Sequence, residues 1–331
     1  MARATVQDVA KTAGVSVGTV SRVLNGSPAV SASSREKVAG AIRQLNYRPL
    51  ASARDLRRDR TMRILALSKN LESPVISEAF RGFGDAAALS GYVSLIAPTS
   101  GDLEREQQLV DMLRNGSVDG LILFSPTMPD GDIEALAEQL SVVQVCEIVD
   151  SEAAFGVSID DRQAAYDITR HLIGTGARRL AIIGNRAARS GRLREQGFRE
   201  ALSEAGLAAE QGLFANGDFD FHAGRRLTRE LLAMDRLPDA VFCGSDTVAA
   251  GCVREIIDAG LRVPDDVAVA GFDDSIQAEM CIPELTTIRQ PAYDLGRVAF
   301  EALLERMTGP AHRRGRTFLP HELVIRDSTK N

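Results

Sequence analysis

The chain has 331 residues, of which 44% are hydrophobic and 25% are charged, a composition typical of a globular protein with two or three domains. It has no apolar run of the ~18 residues that a membrane-spanning helix needs, and it does not begin with the apolar stretch of a secretory signal. The four cysteines lie far apart in apolar stretches, which excludes a disulfide framework and predicts reduced thiols in the cytoplasm.

Charge is distributed unevenly along the chain, although the net charge is −6. Residues 1–60 carry 11 basic and 4 acidic side chains, whereas the remaining residues carry 28 basic and 41 acidic ones. A basic N-terminal segment on an acidic body is what a protein that binds a polyanion requires. Charge alone leaves open the alternative that this basic face is merely solvated.

The N-terminal segment predicts three short helices. Thr5 can cap the first helix, with an acid three residues later as in a capping box, and Gly14 ends it. Ser16 can cap the second helix, over residues 17–25, and a third helix follows. Two short helices joined by a tight turn that contains glycine, with a third as support, predict a helix-turn-helix.

The exposed face of the second helix fits a DNA major groove, which is about 12 Å wide. Val17 and Gly18 are small enough to let the helix approach the bases closely. Thr19 and Ser21 can hydrogen-bond phosphates, and Arg22 can reach the O6 and N7 atoms of guanine. The alternative, in which the small residues only pack two helices together, does not account for the basic charge of the segment.

The sequence TVQDVAKTAGVSVGTVSRVLN, followed by VSASSREKVAGAIRQLNYRP, resembles the headpiece of the LacI/GalR family of bacterial transcriptional regulators. The resemblance covers residues 4–58 and implies a DNA-binding headpiece over residues 1–47. It also implies that Val17, Gly18 and Arg22 contact the DNA bases. Gly18 departs from the larger residue that the family often has there. The DNA-binding surface implied by the sequence consists of Thr5, Ser16, Val17, Gly18, Thr19, Ser21, Arg22, Asn25, Ala53 and Leu56.

A hinge is predicted over residues 48–60. Arg48 precedes a proline, which breaks the third helix because the residue before a proline avoids the α region. The following segment, residues 50–58, is too short to be a stable helix alone and is expected to order on binding DNA. The family resemblance implies that Leu56 wedges between the central base pairs and kinks the duplex. The alternative is that Leu56 is a buried linker residue.

The body, residues 61–331, alternates short apolar runs with longer amphipathic ones, such as RILALS and DAVFCG between predicted helices. Repeated βα units imply parallel sheets with helices on both faces, and roughly ten strands exceed one sheet. We therefore predict two subdomains, about 61–160 with 292–331, and 161–291. The arrangement resembles the type I periplasmic-binding-protein fold, which implies a ligand cleft at the carboxyl ends of the strands.

Several body residues resemble effector contacts of the family. The resemblance implies that Arg194 holds ligand hydroxyls or a carboxylate, that Asp273 accepts hydroxyl hydrogens, and that Phe219 stacks on a ring. Asp246 is equally suited to cap a helix, and Arg194 and Asp273 to form internal ion pairs. The segment 68–83 differs from the family pattern, which favours a carbohydrate or nucleoside over a purine corepressor. The predicted effector site consists of Ser190, Arg194, Phe219, Asp246 and Asp273.

These features predict a sequence-specific DNA-binding regulator, a repressor that a small sugar or nucleoside releases from a palindromic operator. We expect a homodimer in the bacterial cytoplasm, associated with the nucleoid, with no cofactor, no metal and no membrane partner. No enzyme activity is expected, because the sequence has no Walker motif, no Gly-x-Ser-x-Gly elbow and no metal-spaced cluster. The alternatives are a corepressor-dependent regulator and a cytosolic sugar-binding protein with no role on DNA.

Overall fold

The structure is a computed structural model that divides into two compact units, Met1–Met62 and Arg63–Asn331. Within the ranges that it describes, no helix is long and apolar enough to cross a membrane. The described ranges are 4–24, 27–47, 60–150, 153–208, 213–309 and 314–329.

The N-terminal unit contains the helices α1 (Val6–Ala13), α2 (Val17–Leu24) and α3 (Ala32–Gln44) in its described part. Gly14 ends α1 with a φ of 66°, in the left-handed region that glycine adopts without steric cost, so the chain turns sharply into α2. The three helices enclose a small core, and the predicted helix-turn-helix is confirmed. The core consists of Val9, Ala10, Ala13, Val20, Val38 and Ala41.

The second unit begins with alternating strands and helices that build a first lobe. Two of its strands, Gly120–Phe124 and Val142–Val145, are buried along their whole length, as expected for a parallel sheet that helices cover on both faces. The elements are β1 (Arg63–Ser68), α4 (Pro74–Leu89), β2 (Val93–Pro98), α5 (Leu103–Arg114), β3 (Gly120–Phe124), α6 (Asp130–Gln139), β4 (Val142–Val145) and β5 (Phe155–Ser158).

The chain then enters a second lobe built in the same way. The elements are α7 (Asp161–Gly174), β6 (Leu180–Gly184), α8 (Arg189–Glu204), β7 (Phe214–Asn216), α9 (Phe221–Leu232), β8 (Ala240–Cys243), α10 (Asp246–Asp258), β9 (Ala268–Ala270), α11 (Ile276–Met280) and β10 (Thr287–Arg289). Alternate residues of β6 face two separate apolar cores, one on each side of the sheet. Leu180 and Ile182 belong to one core, and Ala181 and Ile183 to the other.

After β10 the chain crosses back to the first lobe and finally returns to the second. It adds α12 (Ala292–Thr308) and β11 (Gly315–Phe318) to the first lobe, whose parallel sheet has the order β11-β5-β4-β3-β1-β2. Then β12 (Glu322–Val324) pairs with β10 in an antiparallel ribbon beside the second lobe. The parallel sheet of the second lobe has the order β7-β6-β8-β9.

The last described residues contact the second lobe. The backbone N–H of Val269 donates to the carbonyl of Ser328 at 3.0 Å, and Leu323 packs against one of the second lobe's cores. The predicted grouping of residues 292–331 with the first lobe holds for α12 and β11, whereas residues 322–329 lie beside the second lobe. Three chain crossings therefore connect the lobes, and we call the space between the lobes at the carboxyl ends of the parallel strands the cleft, since open α/β sheets bind ligands there.

Candidate DNA-binding surface and effector cleft

The first residues of α2 are exposed. Val17 has 42% of its surface accessible, and Gly18 and Arg22 are also exposed. A Cβ atom added at Gly18 would meet only the Oγ atom of Ser16, at 3.7 Å, so the space beside this glycine is open. The start of α2 can therefore approach a flat or grooved partner closely, with Arg22 one turn further along.

Three hydroxyl residues fix the starts of the first two helices. The hydroxyl of Thr5 accepts the backbone N–H of Asp8 at 3.3 Å, and the backbone N–H of Thr5 donates to Oδ2 of Asp8 at 2.8 Å, which completes the capping box expected from the sequence. The Oγ atom of Ser16 accepts the backbone N–H of Thr19 at 3.1 Å, and the two side-chain hydroxyls lie 3.0 Å apart. These residues hold the helix N-termini, whose partial positive charge favours a phosphate.

Of the remaining predicted DNA-binding residues, the structure describes only Ser21. Ser21 is half-buried on α2, where it makes interactions within the protein. Asn25, Ala53 and Leu56 lie outside the described residues.

The second lobe brings four of the predicted effector residues to one edge of its sheet. Phe219 follows β7, Asp246 follows β8 and Asp273 follows β9, so all three lie where parallel strands end. Arg194, on α8, places its guanidinium carbon 5.6 Å from the centre of the Phe219 ring. The carboxylate of Asp273 raises the pKa of Arg194, as expected for charged groups that lie close together.

Arg194 is almost fully buried and bonded within the protein. Its Nε and Nη2 atoms both lie 2.8 Å from Oδ1 of Asp161, and Nη1 donates to the carbonyl of Gly244 at 2.5 Å. The guanidinium also covers the ring of Phe272, 3.6 Å from its centre. Burial opposes the charged form, but the carboxylates of Asp161 and Asp273 more than offset it and raise the pKa of Arg194.

Asp273 is held in a strained backbone conformation. Its φ of 127° is one that residues with a side chain rarely adopt, at a cost of about 1–3 kcal/mol. Its backbone N–H donates to the carbonyl of Ile288 at 2.8 Å, and Nε2 of Gln290 donates to its Oδ1 at 2.7 Å. Burial raises the pKa of Asp273 to about 8, although the Arg194 charge opposes this shift. Such strain is common where a side chain must be aimed at a ligand.

Asp246 is bonded on both oxygens. Oδ2 accepts the backbone N–H and the hydroxyl of Ser275, at 2.7 and 2.9 Å, and Oδ1 accepts the hydroxyl of Thr287 at 2.6 Å. Burial raises the pKa of Asp246 to about 6, against the effect of these hydrogen bonds. The helix cap is the neighbouring residue, Ser245, which accepts the N–H of Val248 at 3.2 Å. Asp246 thus fixes the loop that carries Asp273 rather than capping α10.

Phe219 occupies space that a glycine leaves free. A Cβ atom added at Gly244 would lie 2.7 Å from Cε1 of Phe219, closer than real contacts allow. The ring is half-buried and packs against one of the apolar cores of the second lobe. The absence of a side chain at residue 244 therefore determines where the aromatic ring can lie beside the Arg194 guanidinium.

Ser190 lies at the first turn of α8 and contacts the other lobe. Its hydroxyl hydrogen-bonds Glu147, which follows β4 of the first lobe, and its backbone N–H lies 3.3 and 3.4 Å from the two oxygens of that carboxylate. The backbone N–H of Arg189 also donates to Glu147, at 2.7 Å, and its guanidinium pairs with Asp130 of α6. These contacts join the two lobes across the cleft.

Glu147 and Asp161 were not among the site residues predicted from sequence. The signal that marks them is positional, because Glu147 follows a strand of the first lobe and Asp161 opens the first helix after a chain crossing. The charge of Glu147 also acts on Asp161 and Arg194, so the cleft holds several carboxyl groups around one guanidinium. Across the described ranges, no group of three His, Cys, Asp or Glu side chains is placed to hold a metal ion.

Comparison with known proteins agrees with this geometry. The family "Bacterial regulatory proteins, lacI family" matches residues 5–49, and "Periplasmic binding protein-like domain" matches residues 169–329. The HTH-type transcriptional repressor CytR of Escherichia coli (strain K12) is 34% identical over 329 residues, which are 99% of this chain and 96% of CytR. The chain belongs to the LacI family. Its curated relatives are DNA-binding regulators rather than enzymes, and this family member is likewise a DNA-binding transcriptional regulator.

Two solved structures of LacI-family regulators show the same fold. The transcriptional regulator CelR in complex with cellobiose has a TM-score of 0.76 and 33% identity, over 98% of this chain and all of CelR. The Lac repressor dimer bound to operator and the anti-inducer ONPF has a TM-score of 0.87 and 29% identity, over 99% of each chain. The predicted fold, a helix-turn-helix headpiece followed by two parallel-sheet lobes, is confirmed.

Proposed function

We propose that this LacI-family regulator is a repressor that binds a palindromic operator as a homodimer and leaves it when a sugar or nucleoside occupies the cleft. The observation that carries the proposal is the convergence of an acceptor, Asp273, a guanidinium, Arg194, and a ring, Phe219, at one edge of the second sheet. A sugar or nucleoside has hydroxyls for the acceptor and an apolar face for the ring.

On the operator, α2 enters the major groove. Val17 and Gly18 lie nearest the base edges because they are exposed and the space beside Gly18 is open. Arg22 donates to O6 and N7 of a guanine, the commonest specific contact of an arginine with DNA. The helix N-termini capped by Thr5 and Ser16 take phosphates, together with the Thr19 and Ser21 hydroxyls.

Two apolar surfaces of the second unit support a homodimer. In the second lobe Met280 is 73% exposed and Ile282 is 84% exposed, and in the first lobe Leu89 is 90% exposed. Val93, 57% exposed, begins β2, which is the edge strand of its sheet. A second copy of the chain would cover these side chains and the strand edge. The related Lac repressor is a dimer on its operator, and we propose the same state here.

Two headpieces in a dimer contact two half-sites about one helical turn apart, so the operator is a palindrome of roughly 14–20 base pairs. The direction of the response follows from which lobe arrangement the effector prefers. A typical coupling of ~1–3 kcal/mol would change operator affinity by about 5- to 150-fold. The relative CelR has been solved with cellobiose, which supports a carbohydrate in this cleft.

Two variants of the full chain test the proposal, one expected to lose only operator binding and the other expected to lose only effector binding. The operator is first selected from random DNA, and the effector is found among sugars and nucleosides by thermal shift. Arg22→Ala is expected to weaken operator binding by about 1–3 kcal/mol while the thermal shift with effector stays unchanged. Asp273→Asn is expected to abolish the thermal shift while operator binding without effector stays unchanged.

Fluorescence anisotropy on operator and random duplexes, with and without effector, distinguishes the candidates. Release from operator on adding effector supports the repressor, and tighter binding on adding effector indicates the corepressor-dependent alternative. Equal affinity of the wild type for operator and random DNA would overturn the proposal. So would a thermal shift that both Asp273→Asn and a Phe219→Ala variant leave unchanged, because the pocket would then lie elsewhere.

A further inference from the structure

Two cationic groups of the second lobe lie beside the predicted effector residues and are suited to hold an anion, and the first is the N-terminus of α8. This helix has 16 residues, and its N-cap residue, Ala188, offers no side-chain acceptor. Glu147 fills that place from the opposite lobe, since it accepts the backbone N–H of Arg189 at 2.7 Å together with the hydroxyl of Ser190. The N-terminus that would otherwise receive a phosphate or carboxylate of a ligand already holds a carboxylate of the protein.

The second such group is the Arg194 guanidinium, and it too is already paired. Two of its nitrogens lie 2.8 Å from Asp161, a third donates to the carbonyl of Gly244 at 2.5 Å, and one face covers the ring of Phe272. The salt bridge is buried, with 8% of the Arg194 side chain and 4% of the Asp161 side chain exposed. An incoming anion would have to displace Asp161 and leave that carboxylate buried without a partner.

Among the predicted effector residues, Asp273 has a carboxyl oxygen with unused bonding capacity. Gln290 donates to Oδ1 of Asp273 at 2.7 Å, whereas no side chain or backbone N–H in the described ranges donates to its Oδ2. The residue is fixed in a strained conformation that aims its carboxyl group, as described above. Because burial raises the pKa of this carboxyl group to about 8, its free oxygen can both donate and accept, and a neutral hydroxyl group complements it in both roles.

We infer that the effector of this regulator is an uncharged polyhydroxy compound and that its phosphorylated or carboxylated derivatives are rejected. The inference rests on the proposed function and narrows the class of its ligand. Glu147 and Asp161 are the specificity-determining residues: each neutralises a cationic group that would otherwise attract an anion. An anionic group placed at either of these two positions meets a carboxylate that already holds the cationic group, an arrangement that costs affinity.

The first arm of the test compares neutral compounds with their own phosphates. Thermal unfolding and calorimetric titration of the full chain at pH 7.5 and constant ionic strength use ribose, glucose, cytidine, uridine and adenosine, each beside its monophosphate. The neutral member of a binding pair is expected to bind at least about tenfold more tightly than its phosphate. Glu147→Gln is expected to bring that ratio toward one, and Glu138→Gln, the same change at an exposed position of α6, is expected to leave it unchanged.

The second arm uses inorganic phosphate as the probe and gives a result whether or not any compound in the panel binds. Phosphate, compared with chloride at equal ionic strength, is expected to give the wild type no saturable thermal shift. Glu147→Ala vacates the N-terminus of α8 and is expected to gain a saturable shift, whereas the matched control Glu138→Ala gains none.

Three results overturn the inference: a monophosphate that binds as tightly as its neutral partner, a saturable phosphate shift in the wild type, or no gain of phosphate binding in Glu147→Ala. None of them bears on operator recognition, which the Arg22→Ala comparison on operator and random DNA measures separately. The inference that the effector is uncharged can therefore fail while the proposed function as a DNA-binding regulator stands. Loss of operator preference in the wild type would remove the proposed function instead.

Discussion

At the scale of single residues, Asp273 combines a strained backbone, a buried carboxyl group and a position beside Arg194. Burial raises the pKa of Asp273 from about 3.8 to about 8, so the folded protein holds this proton over a pH range in which the unfolded chain has lost it. Stability therefore falls as the pH rises from about 4 to about 8, because the unfolded state binds fewer protons than the folded state there.

The variant Asp273→Asn has no titratable group at residue 273, so its stability should lack the pH dependence that Asp273 contributes. Relative to the wild type, its free energy of unfolding should increase with pH between 5.5 and 7.5, by on the order of 1 kcal/mol per pH unit. Urea unfolding at three pH values measures the difference, with the exposed Asp235→Asn as the control. A difference that stays constant across this range would show that Asp273 is ionised in the folded protein.

At the scale of secondary-structure elements, two of the ion pairs between α7 and α8 differ in burial. Asp161 and Arg194 form the buried pair, whereas Arg162 and Glu200 form an exposed one at the same N–O distance of 2.8 Å, with 57% and 43% of their side chains accessible. The same two helices thus provide a matched comparison of a buried and an exposed salt bridge.

Removal of one partner should destabilise the protein strongly at the buried pair and only slightly at the exposed pair. Arg194→Met leaves Asp161 buried and unpaired and is expected to cost about 3–5 kcal/mol, whereas Arg162→Met, at an exposed pair, is expected to have little effect on stability. Chemical unfolding of both variants, completed as double-mutant cycles with Asp161→Asn and Glu200→Gln, gives the two coupling energies. Similar costs for both would contradict the assignment. Arg194 variants are therefore unsuitable for locating the effector, because folding suffers first.

The sequence predicted the elements well and the contacts between them poorly. Caps placed the starts of α1 and α2 correctly, because Thr5 and Ser16 act on their own helices. The role of Glu147 was missed because it caps a helix of the other lobe, and no pattern along the chain indicates such a partner. Asp246 was predicted as a ligand contact or a cap, whereas its hydrogen bonds go to residues 29 and 41 positions away.

At the scale of the whole molecule, the proposed dimer depends on apolar side chains that the single chain leaves exposed. Met280→Asp places a charge among the exposed apolar side chains of the second lobe and is expected to raise the dimer dissociation constant at least about tenfold. Operator affinity at nanomolar protein should fall with it, since each half-site then binds alone. Analytical ultracentrifugation gives the dissociation constant. The comparable change Phe318→Asp, at a residue that is 50% exposed in β11, at the opposite edge of the first-lobe sheet from β2, is the control. A dimer unaffected by Met280→Asp would place the interface elsewhere.

The return of the chain to the first lobe has a consequence for synthesis on the ribosome. The three helices of the headpiece are complete once residue 44 has emerged, and domains generally fold as units from the N-terminus onward. The first lobe must wait much longer, because its sheet lacks the edge strand β11 until residue 318 has been translated. A nascent or truncated chain can therefore carry a finished DNA-binding unit on a sensor that is not yet able to respond. Premature termination before residue 318 therefore disrupts the first lobe, although the first lobe is the part of the body that is synthesised first.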